Sequence, residues 1–367
     1  MLWLNPEKSL IISHLYFLQL KKMSKPYVVG IDIGGTNTVF GIVDARGVVL
    51  ASSSIKTRKH PTVEAYIDEL HTELTKLMDA NEAIGKIHGI GIGAPNANYY
   101  TGTIDEGVNL PWPTPIPLAQ LVADKFGVPV SVTNDANAAA IGEMTYGVAR
   151  GLKDFIMITL GTGVGSGIVI NGQLVYGHDG FAGELGHVII KRNNGRLCGC
   201  GRTGCLEAYC SATGVARTAR EFLEARATEP SLLRNMAIED ITSKDVYDAA
   251  MAGDKLARDV FEFTGDILGA ALADFTVFSA PEAFVLFGGL AKSGELLMRP
   301  LRDSLEKNLM GIWKGKVKVL LSDLKEADAA ILGASALGWE AKVQPAVAAD
   351  EPAPSAATLP TTPLPRV

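Results

Sequence analysis

Two short glycine-rich turns, each between two apolar strands, are the first features of this sequence that could do chemistry. The segments IDIGGTNTVFGIVDARGVV and ITLGTGVGSGIVINGQLV align as strand, turn, strand and turn, with a gap of one residue. Backbone amides in such turns bind anions, and threonine hydroxyls add hydrogen-bond donors. We therefore predict that two opposed turns grip the phosphates of one nucleotide through Gly34, Gly35, Thr36, Asn37 and Thr38 in the first and Gly161, Thr162 and Gly163 in the second.

A single glycine turn would favour a simpler interpretation, in which the turn does no more than close a hairpin. Two turns at equivalent positions of a repeat, each with a threonine, favour the phosphate site instead. Two other nucleotide-binding motifs are not matched by this sequence. The run GTGVGSG does not contain GxGxxG and joins two strands, whereas a dinucleotide fingerprint opens a helix. The Gly-Lys pairs at 85–86 and 315–316 are each followed by an aliphatic residue, so neither forms a Walker A loop.

Two aspartates come at or just after the ends of predicted strands. Asp135 follows the apolar strand VPVSVT and opens a helix, which places its carboxylate where open α/β folds bind ligands. It is the best candidate for a general base that accepts a hydroxyl proton in phosphoryl transfer. The alternative is that Asn134 or Asp135 only caps the helix. Asp32, at the end of the first strand, is expected to hold Mg²⁺ directly or through water.

All four cysteines lie within thirteen positions, which indicates a metal site in a reducing compartment rather than a disulfide scaffold. Cys198, Cys200 and Cys205 with His187 offer three thiolates and one imidazole, a closed tetrahedral set suited to structural Zn²⁺. The glycines of CGCGRTGC let the chain wrap around an ion. Cys210 competes with the histidine as the fourth ligand.

The elements that must position these residues form two similar halves. In the first half the predicted order is βββαβαβα, with strands at 27–35, 38–44, 48–55, 87–94 and 128–133 and helices at 62–80, 117–126 and 135–146. The pattern then restarts, with three strands over 155–175, a long helical region, strands at 284–290 and 316–321, and helices at 294–308 and 328–340. We predict two βββαβα units that face each other across a cleft.

Composition narrows the classes of function. The chain has 367 residues, of which 47% are hydrophobic, enough for about two domains with sizeable cores. Charged residues make up 20%, with 34 basic against 40 acidic side chains, so the sequence lacks the basic footprint of a protein that binds nucleic acid or an anionic membrane. The expected partners are small molecules.

The two ends are not expected to join the fold. Residues 1–26 include the apolar stretch LIISHLYFLQL, which is too short to span a bilayer and lacks a preceding basic region, and Met23 is a candidate start site. Residues 343–367 are rich in alanine, proline and threonine without an apolar period, so we expect disorder there.

The segments DIGGTNT, GAPN, VNLPW, TNDANAAAIGE, LGTGVGSGIVINGQL, GELGH and CGCGRTGCLE, in that order, resemble the ROK family, named for repressors, open reading frames and kinases. The similarity spans about 27–340, and the pairing of GELGH with CxCGxxGCxE is highly specific. It implies an α/β fold of the actin-like and hexokinase-like (ribonuclease H-like) class, with duplicated βββαβα domains around a central cleft. We place the small domain at 27–133 plus about 325–340, and the large domain at 134–324 with a zinc loop at 187–207.

The resemblance also implies roles for single residues. The aspartate of the Asn-Asp-Ala motif, Asp135, resembles the family's general base, and His187 becomes the fourth zinc ligand, which leaves Cys210 as a small buried residue. Gly288 and Gly289 resemble glycines on the adenosine side of the nucleotide. The family pattern assigns the sugar pocket around the base to Asn109, Asn134, Glu184, His187 and Glu207. Without the family, a turn residue would be the simpler interpretation of Asn109 and a solvated helix charge that of Glu207.

Two positions depart from the family pattern. Asn37 stands where members often carry lysine, which puts a direct phosphate cation in doubt. Asn96 follows Pro95 where many members carry glycine, and this change is expected to alter the loop on the sugar side.

The function that the resemblance implies is ATP- and Mg²⁺-dependent phosphorylation of a hexose, in a cytoplasmic homo-oligomer of two or four chains that also holds structural Zn²⁺. The expected substrate is glucose at its 6-hydroxyl, as in bacterial ROK glucokinases, and the alternatives are N-acetylglucosamine, N-acetylmannosamine, mannose or fructose. A sugar-responsive transcriptional repressor is a remote alternative, because the 26 residues before the first strand leave no room for a helix-turn-helix domain and the acidic balance disfavours DNA. No nucleic acid or membrane partner is expected.

Overall fold

The computed structural model describes residues 25–105, 110–324 and 326–341. The predictions for the two chain ends and for Asn109 therefore fall outside the described residues. Within the described ranges, no helix combines the length and the apolar content needed to cross a bilayer.

The first half is built on a five-stranded sheet with the order β3-β2-β1-β4-β5. Its strands are β1 (Tyr27–Ile33), β2 (Asn37–Asp44), β3 (Val49–Lys56), β4 (Ile87–Gly93) and β5 (Val130–Thr133). The first three form an antiparallel meander, and β1, β4 and β5 run parallel to one another. Two helices pack their apolar residues into the same core as this sheet, α1 (Val63–Ala80) and α2 (Leu118–Phe126).

Helix α1 shows why these segments fold as they do. The Thr62 hydroxyl caps the helix by accepting a hydrogen bond from the Ala65 amide at 3.2 Å. Tyr66, Ile67, Leu70 and Leu74 then recur on one face and are buried, as expected for an amphipathic helix on a sheet.

The second half repeats this topology. Its sheet has the order β10-β9-β6-β7-β8, so that β8-β7-β6-β9-β10 matches β3-β2-β1-β4-β5 strand for strand, with two antiparallel pairings followed by two parallel ones. The strands are β6 (Phe155–Leu160), β7 (Val164–Ile170), β8 (Gln173–Leu174), β9 (Ala283–Phe287) and β10 (Lys318–Leu321). The predicted duplication of an actin-like α/β unit is confirmed.

Most helices of the second half follow the cysteine-rich loop. They are α4 (Glu207–Cys210), α5 (Ala212–Ala225), α6 (Ser243–Met251), α7 (Lys255–Ser279) and α8 (Glu295–Asn308). Their buried aliphatic side chains share one core with β6, β7 and β9.

Helix α3 (Asp135–Tyr146) contacts both halves. Ala140 packs against β7 so closely that a methyl group added at Gly167 would lie 2.7 Å from the Ala140 Cβ. On another side, a methyl group added at Gly142 would lie 2.7 Å from the Cα of Gly333 in the C-terminal helix α9 (Glu326–Glu340). Because α3 begins at Asp135, these contacts fix the predicted base between the halves.

Helix α9 packs on the first sheet where β1 and β4 carry glycines in place of larger residues. A methyl group added at Gly91 of β4 would lie 1.9 Å from the Ala334 carbonyl oxygen, and one added at Gly30 of β1 would lie 2.0 Å from that of Ile331. Backbone thus packs directly against backbone. This contact places α9 against the sheet of the first half; the predicted division of the chain into domains stays a prediction.

We expect Gly91→Ala to lower the free energy of unfolding by about 1 to 3 kcal/mol or more, since the added methyl group must push α9 off the sheet. Gly311→Ala is the matched control, because nothing lies within 4 Å of a methyl group there. Urea denaturation of both variants measures the difference. Equal stability of the two would contradict the close packing.

Candidate functional site

Two carboxylates meet at the edge of the first sheet where β1, β4 and β5 end. Asp32 lies near the end of β1, and Asp135 follows β5 as the first residue of α3. Gly93 ends β4 between them, and a methyl group added there would lie 3.5 Å from Asp32 Oδ1 and 3.8 Å from the Asp135 Cα. Parallel strands thus bring together two aspartates that are far apart in sequence.

The Asp135 side chain is available for chemistry because its neighbour does the capping. Asn134 Oδ1 accepts a hydrogen bond from the Asn137 amide at 2.7 Å, so Asn134 caps α3. Asp135 Oδ1 accepts one from the Ala136 amide at 2.8 Å, and the residue remains open to solvent between the two halves. The surrounding protein still removes part of its hydration, which raises the pKa of Asp135 above its usual range.

Asp32 is affected by the same surroundings. Burial raises its pKa to about 7, and the nearby negative charge of Asp135 adds to the effect. Two carboxylates in this arrangement favour a bound cation, which would lower the pKa of the carboxylate that holds it. Asp32 is therefore suited to hold Mg²⁺, which takes one or two carboxylates and keeps several waters.

The carbonyl oxygens of the first glycine turn accept hydrogen bonds from the two residues that follow β3. Thr57 donates its hydroxyl to the Gly34 oxygen at 2.8 Å and its amide to the Thr36 oxygen at 3.0 Å, and Arg58 Nε donates to the Gly35 oxygen at 2.8 Å. With its carbonyls occupied, the turn can present the amides of Gly35 and Thr36 to an anion.

Thr38 does not fit its predicted part in this turn. Its side chain is fully buried, and its hydroxyl lies 3.0 Å from the Thr57 hydroxyl and 2.8 Å from that of Tyr66. Side chains alternate along β2, so Asn37 is exposed and Thr38 points into the core. Thr38 supports the turn from behind, and its hydroxyl is not available to a phosphate.

The second turn is bound in a similar way. The Ala212 amide donates to the Gly161 oxygen at 2.8 Å, and the Thr213 hydroxyl donates to the Thr162 oxygen at 3.0 Å. Gly161 and Thr162 are exposed. Both predicted phosphate turns therefore have carbonyls that accept hydrogen bonds from a neighbouring segment.

The Gly288-Gly289 pair lies beside the second turn. Strands β6 and β9 are parallel neighbours with Thr159 opposite Phe287, so both end at the same edge. A methyl group at Gly288 would lie 2.5 Å from the Leu160 oxygen, and its φ of +104° favours glycine. This conformation ends β9 at Phe287, three residues before the predicted end of the strand.

The GELGH loop carries two predicted sugar-pocket residues. Ser166 of β7 anchors it, because the Ser166 hydroxyl donates to the Gly183 oxygen and accepts from the Leu185 amide at 3.1 Å. Glu184 Oε2 lies 4.0 Å from His187 Nε2. Burial raises the pKa of Glu184; the His187 charge opposes this shift, and the charges of Asp135 and Glu207 add to it. The loop thus lies close enough to the base to share one site.

The predicted metal ligands form a compact cluster. The ligand atoms of His187, Cys198, Cys200 and Cys205 all lie within 4.8 Å of one another. Cys200 Sγ is 3.7 Å from Cys205 Sγ, and His187 Nδ1 is 3.7 Å from Cys198 Sγ. Bond lengths in tetrahedral Zn²⁺ sites predict separations of about 3.8 Å between two sulfurs and about 3.6 Å between sulfur and nitrogen. The cluster therefore has the dimensions of a zinc site.

The thiol pKa values of this cluster are shifted in different directions, upwards for Cys198 and Cys205 and downwards for Cys200. Burial raises the pKa of Cys198 to about 12, so a cation must replace its proton before it can act as a thiolate. Cys210 lies apart from the cluster, buried, with its Sγ donating to the Thr264 oxygen at 3.7 Å. Among the described residues, His187 rather than Cys210 groups with the other three cysteines.

Glu207 links the cluster to the second turn. Its Oε1 accepts a hydrogen bond from Cys198 Sγ at 3.3 Å, and its Oε2 accepts one from the Val164 amide at 3.0 Å. A methyl group at Gly163 would lie 2.4 Å from Glu207 Oε2, so the glycine makes room for the carboxylate. Glu207 is therefore not a solvated helix charge.

Three contributors to the first turn were missed in the sequence, namely Lys56, Thr57 and Arg58. Lys56 is the last residue of β3, and Thr57 and Arg58 follow it directly. Strand β3 pairs with β2 in antiparallel register. In a three-stranded antiparallel meander, the end of the third strand lies beside the start of the second, and so beside the turn before it. This rule could have identified the three residues from the sequence.

Comparison with known proteins agrees with this geometry. The sequence profile of the ROK family matches residues 28–341. A glucokinase of Halalkalibacterium halodurans is 35% identical over 324 residues, which cover 88% of this chain and 97% of that protein. A glucokinase of Thermotoga maritima is 35% identical over 318 residues, covering 86% and 98%. The crystal structure of a ROK family glucokinase from Streptomyces griseus in complex with glucose and AMPPNP superposes with a TM-score of 0.71 at 35% identity, covering 86% of this chain and 99% of that one. The family match, the repeated fold and the ligand cluster agree with one another, and the chain belongs to the ROK family.

Proposed function

We propose that this protein is an ATP-dependent kinase that transfers a phosphoryl group to the 6-hydroxyl of glucose. The observation that carries the proposal is the convergence of Asp135, Asp32 and the first glycine turn at one sheet edge. Relatives named glucokinase, at 35% identity over nearly their whole length, support glucose as the hexose. A related structure holds glucose and an ATP analogue together.

In the proposed reaction, Asp135 acts as the general base. The sugar hydroxyl loses its proton to the Asp135 carboxylate as its oxygen forms a bond to the γ-phosphorus, and the bond from that phosphorus to the β,γ-bridging oxygen breaks to release ADP. The raised pKa of Asp135 makes it a stronger base than a free carboxylate. The proton then passes to solvent.

The two glycine turns would hold the phosphates of ATP. Gly35 and Thr36 offer amides at the first turn, and Thr162 and Gly163 do so at the second, while Gly288 and Gly289 would border the adenosine. Mg²⁺ held by Asp32 would supply the positive charge that neutralises the polyphosphate. Positioning and charge then account for most of the catalysis.

The sugar pocket would be formed by Asn134, Glu184, His187 and Glu207 around Asp135, with Asn109 as a further predicted contact. These side chains offer both donors and acceptors, and a sugar that leaves one of them unpaired loses about 1 to 3 kcal/mol. A bound Zn²⁺ at His187 Nδ1 would fix the ring so that Nε2 faces the pocket next to Glu184. The metal is thus proposed as a structural support of substrate binding. Compartment and oligomeric state stay predictions.

We expect Asp135→Asn to lower kcat by at least about 100-fold, because it removes the proton acceptor. A coupled assay of ADP release with a panel of glucose, mannose, fructose, N-acetylglucosamine and N-acetylmannosamine measures turnover. Asp124→Asn, on the exposed side of α2, is the control with the same change in charge. A wild-type protein with no sugar-dependent turnover would reject the proposed function, and a higher rate with another hexose would correct the substrate.

Activity should fall on the acid side of its pH profile. Because the surrounding protein removes part of the hydration of Asp135 and raises its pKa, the base is protonated at a higher pH than an ordinary aspartate. The rate at saturating ATP and Mg²⁺, followed from pH 4.5 to 8 together with circular dichroism, should rise with pH to a plateau. A flat profile in folded protein would argue against Asp135 as the titrating base.

Wild-type protein should contain about one zinc ion per chain, and Cys200→Ser should lose most of it, because three ligands hold the ion less tightly than four. Cys210→Ser is the control, since its sulfur lies outside the cluster and should leave the zinc content unchanged. Inductively coupled plasma mass spectrometry measures the metal. Loss of zinc in the Cys210 variant alone would mean that the ligand set is wrong.

A further inference from the structure

Lys56 brings an ammonium group to the rim of the first glycine turn. It is the last residue of β3 and lies opposite Asn37, the first residue of β2, in the antiparallel register. Lys56 Nζ donates a hydrogen bond to Asn37 Oδ1 at 2.7 Å. Within the part of the chain that the structure describes, no carboxylate lies within 4.0 Å of this ammonium. Lys59, three residues later, differs because its Nζ lies 3.3 Å from Glu69 Oε1.

We propose that Lys56 is the cation that contacts the polyphosphate of ATP at the first turn, and that Asn37 holds it there. This inference rests on the proposed function. An ammonium has three donors, of which Asn37 takes one, so two remain for phosphate oxygens. Lysine is a common phosphate ligand that acts as a point charge. Asn37 then contributes by orienting the charge that it does not itself carry.

The surroundings of Lys56 favour such a charge in addition to the proposed Mg²⁺. Asp32, two residues before the turn, and Asp135 beside it are both acidic, and they would repel a polyphosphate. The backbone amides of the turn offer only partial charges. Arg58 is already bonded to the Gly35 carbonyl, so it shapes the turn. Lys56 supplies a full positive charge on the same rim.

The position of the turn indicates which phosphate Lys56 contacts. The turn directly follows β1, whose Asp32 lies next to the proposed base across Gly93. A phosphate bound here would therefore be the one nearest the sugar hydroxyl, at the end of ATP that is transferred. Lys56 would bind ATP through its terminal phosphates and stabilise the charge that moves during transfer.

The test compares Lys56→Gln with Lys59→Gln, which removes a charge three residues away. For Lys56→Gln we expect the KM for ATP to rise about tenfold and kcat to fall, with the KM for glucose changed less than about twofold. Calorimetry without sugar should show weaker binding of ADP and of AMPPNP, and little change for AMP. Lys59→Gln should leave all of these constants near wild type.

A second variant completes the test by moving the lysine from position 56 to position 37, its partner in the strand pair. The double variant Asn37→Lys, Lys56→Asn restores an ammonium at the opposite register position and should recover most of the affinity for AMPPNP. Unchanged constants in Lys56→Gln, or an equal loss in Lys59→Gln, would overturn the proposal. Because nucleotide binding is measured without turnover, this result is separate from a wild-type protein that fails to phosphorylate glucose.

Discussion

Direct packing of backbone on backbone is the constraint on which this structure depends. Glycines in β1 and β4 let the backbone of α9 lie directly on the first sheet, and Gly142 lets α3 pack closely against Gly333 of α9. These contacts leave little freedom for α3 to rotate or slide. The residue at its first turn, Asp135, is consequently held at the edge of the sheet where the other site residues end. Much of the glycine in this chain therefore sets the distances between the helices and the sheet.

The site that results is strongly acidic for one that binds a polyphosphate. In addition to burial, the charge of Asp135 raises the pKa of Asp32, and the charges of Asp135 and Glu207 raise the pKa of Glu184. Such a site binds an anion only if positive charge is supplied locally. The structure offers amide turns with occupied carbonyls, an ammonium on β3 and a carboxylate pair suited to Mg²⁺. The net charge of the chain, −6 at pH 7, does not reveal this local balance between acidic side chains and groups that bind an anion.

The sequence predicted those features that depend on neighbours along the chain. The two turns, Asp135 at the start of its helix and the Cys198 to Cys205 cluster are local patterns, and the structure brings each of them to the site. Thr38 was wrong as a phosphate donor, because the strand begins one residue earlier than the turn suggests and its alternation points Thr38 inward. Lys56 and the bond between Glu207 and the Val164 amide depend on strand register and on the path of the cysteine-rich loop. Neither follows from the spacing of residues alone.

The link through Glu207 makes the length of one short segment significant. The segment between Cys205 of the predicted metal cluster and Ala212, whose amide donates to the Gly161 carbonyl, has little freedom. Helix α4 occupies most of it, and Glu207 within it is bonded to the Val164 amide. The segment therefore fixes the distance between the predicted metal cluster and the second turn. An insertion or deletion of one residue there would move one end relative to the other by roughly 1.5 Å and rotate α4 by about a quarter of a turn. Sequence change in this protein is consequently easier to accommodate in the exposed chain around Arg192 to Asn194 than in these few residues.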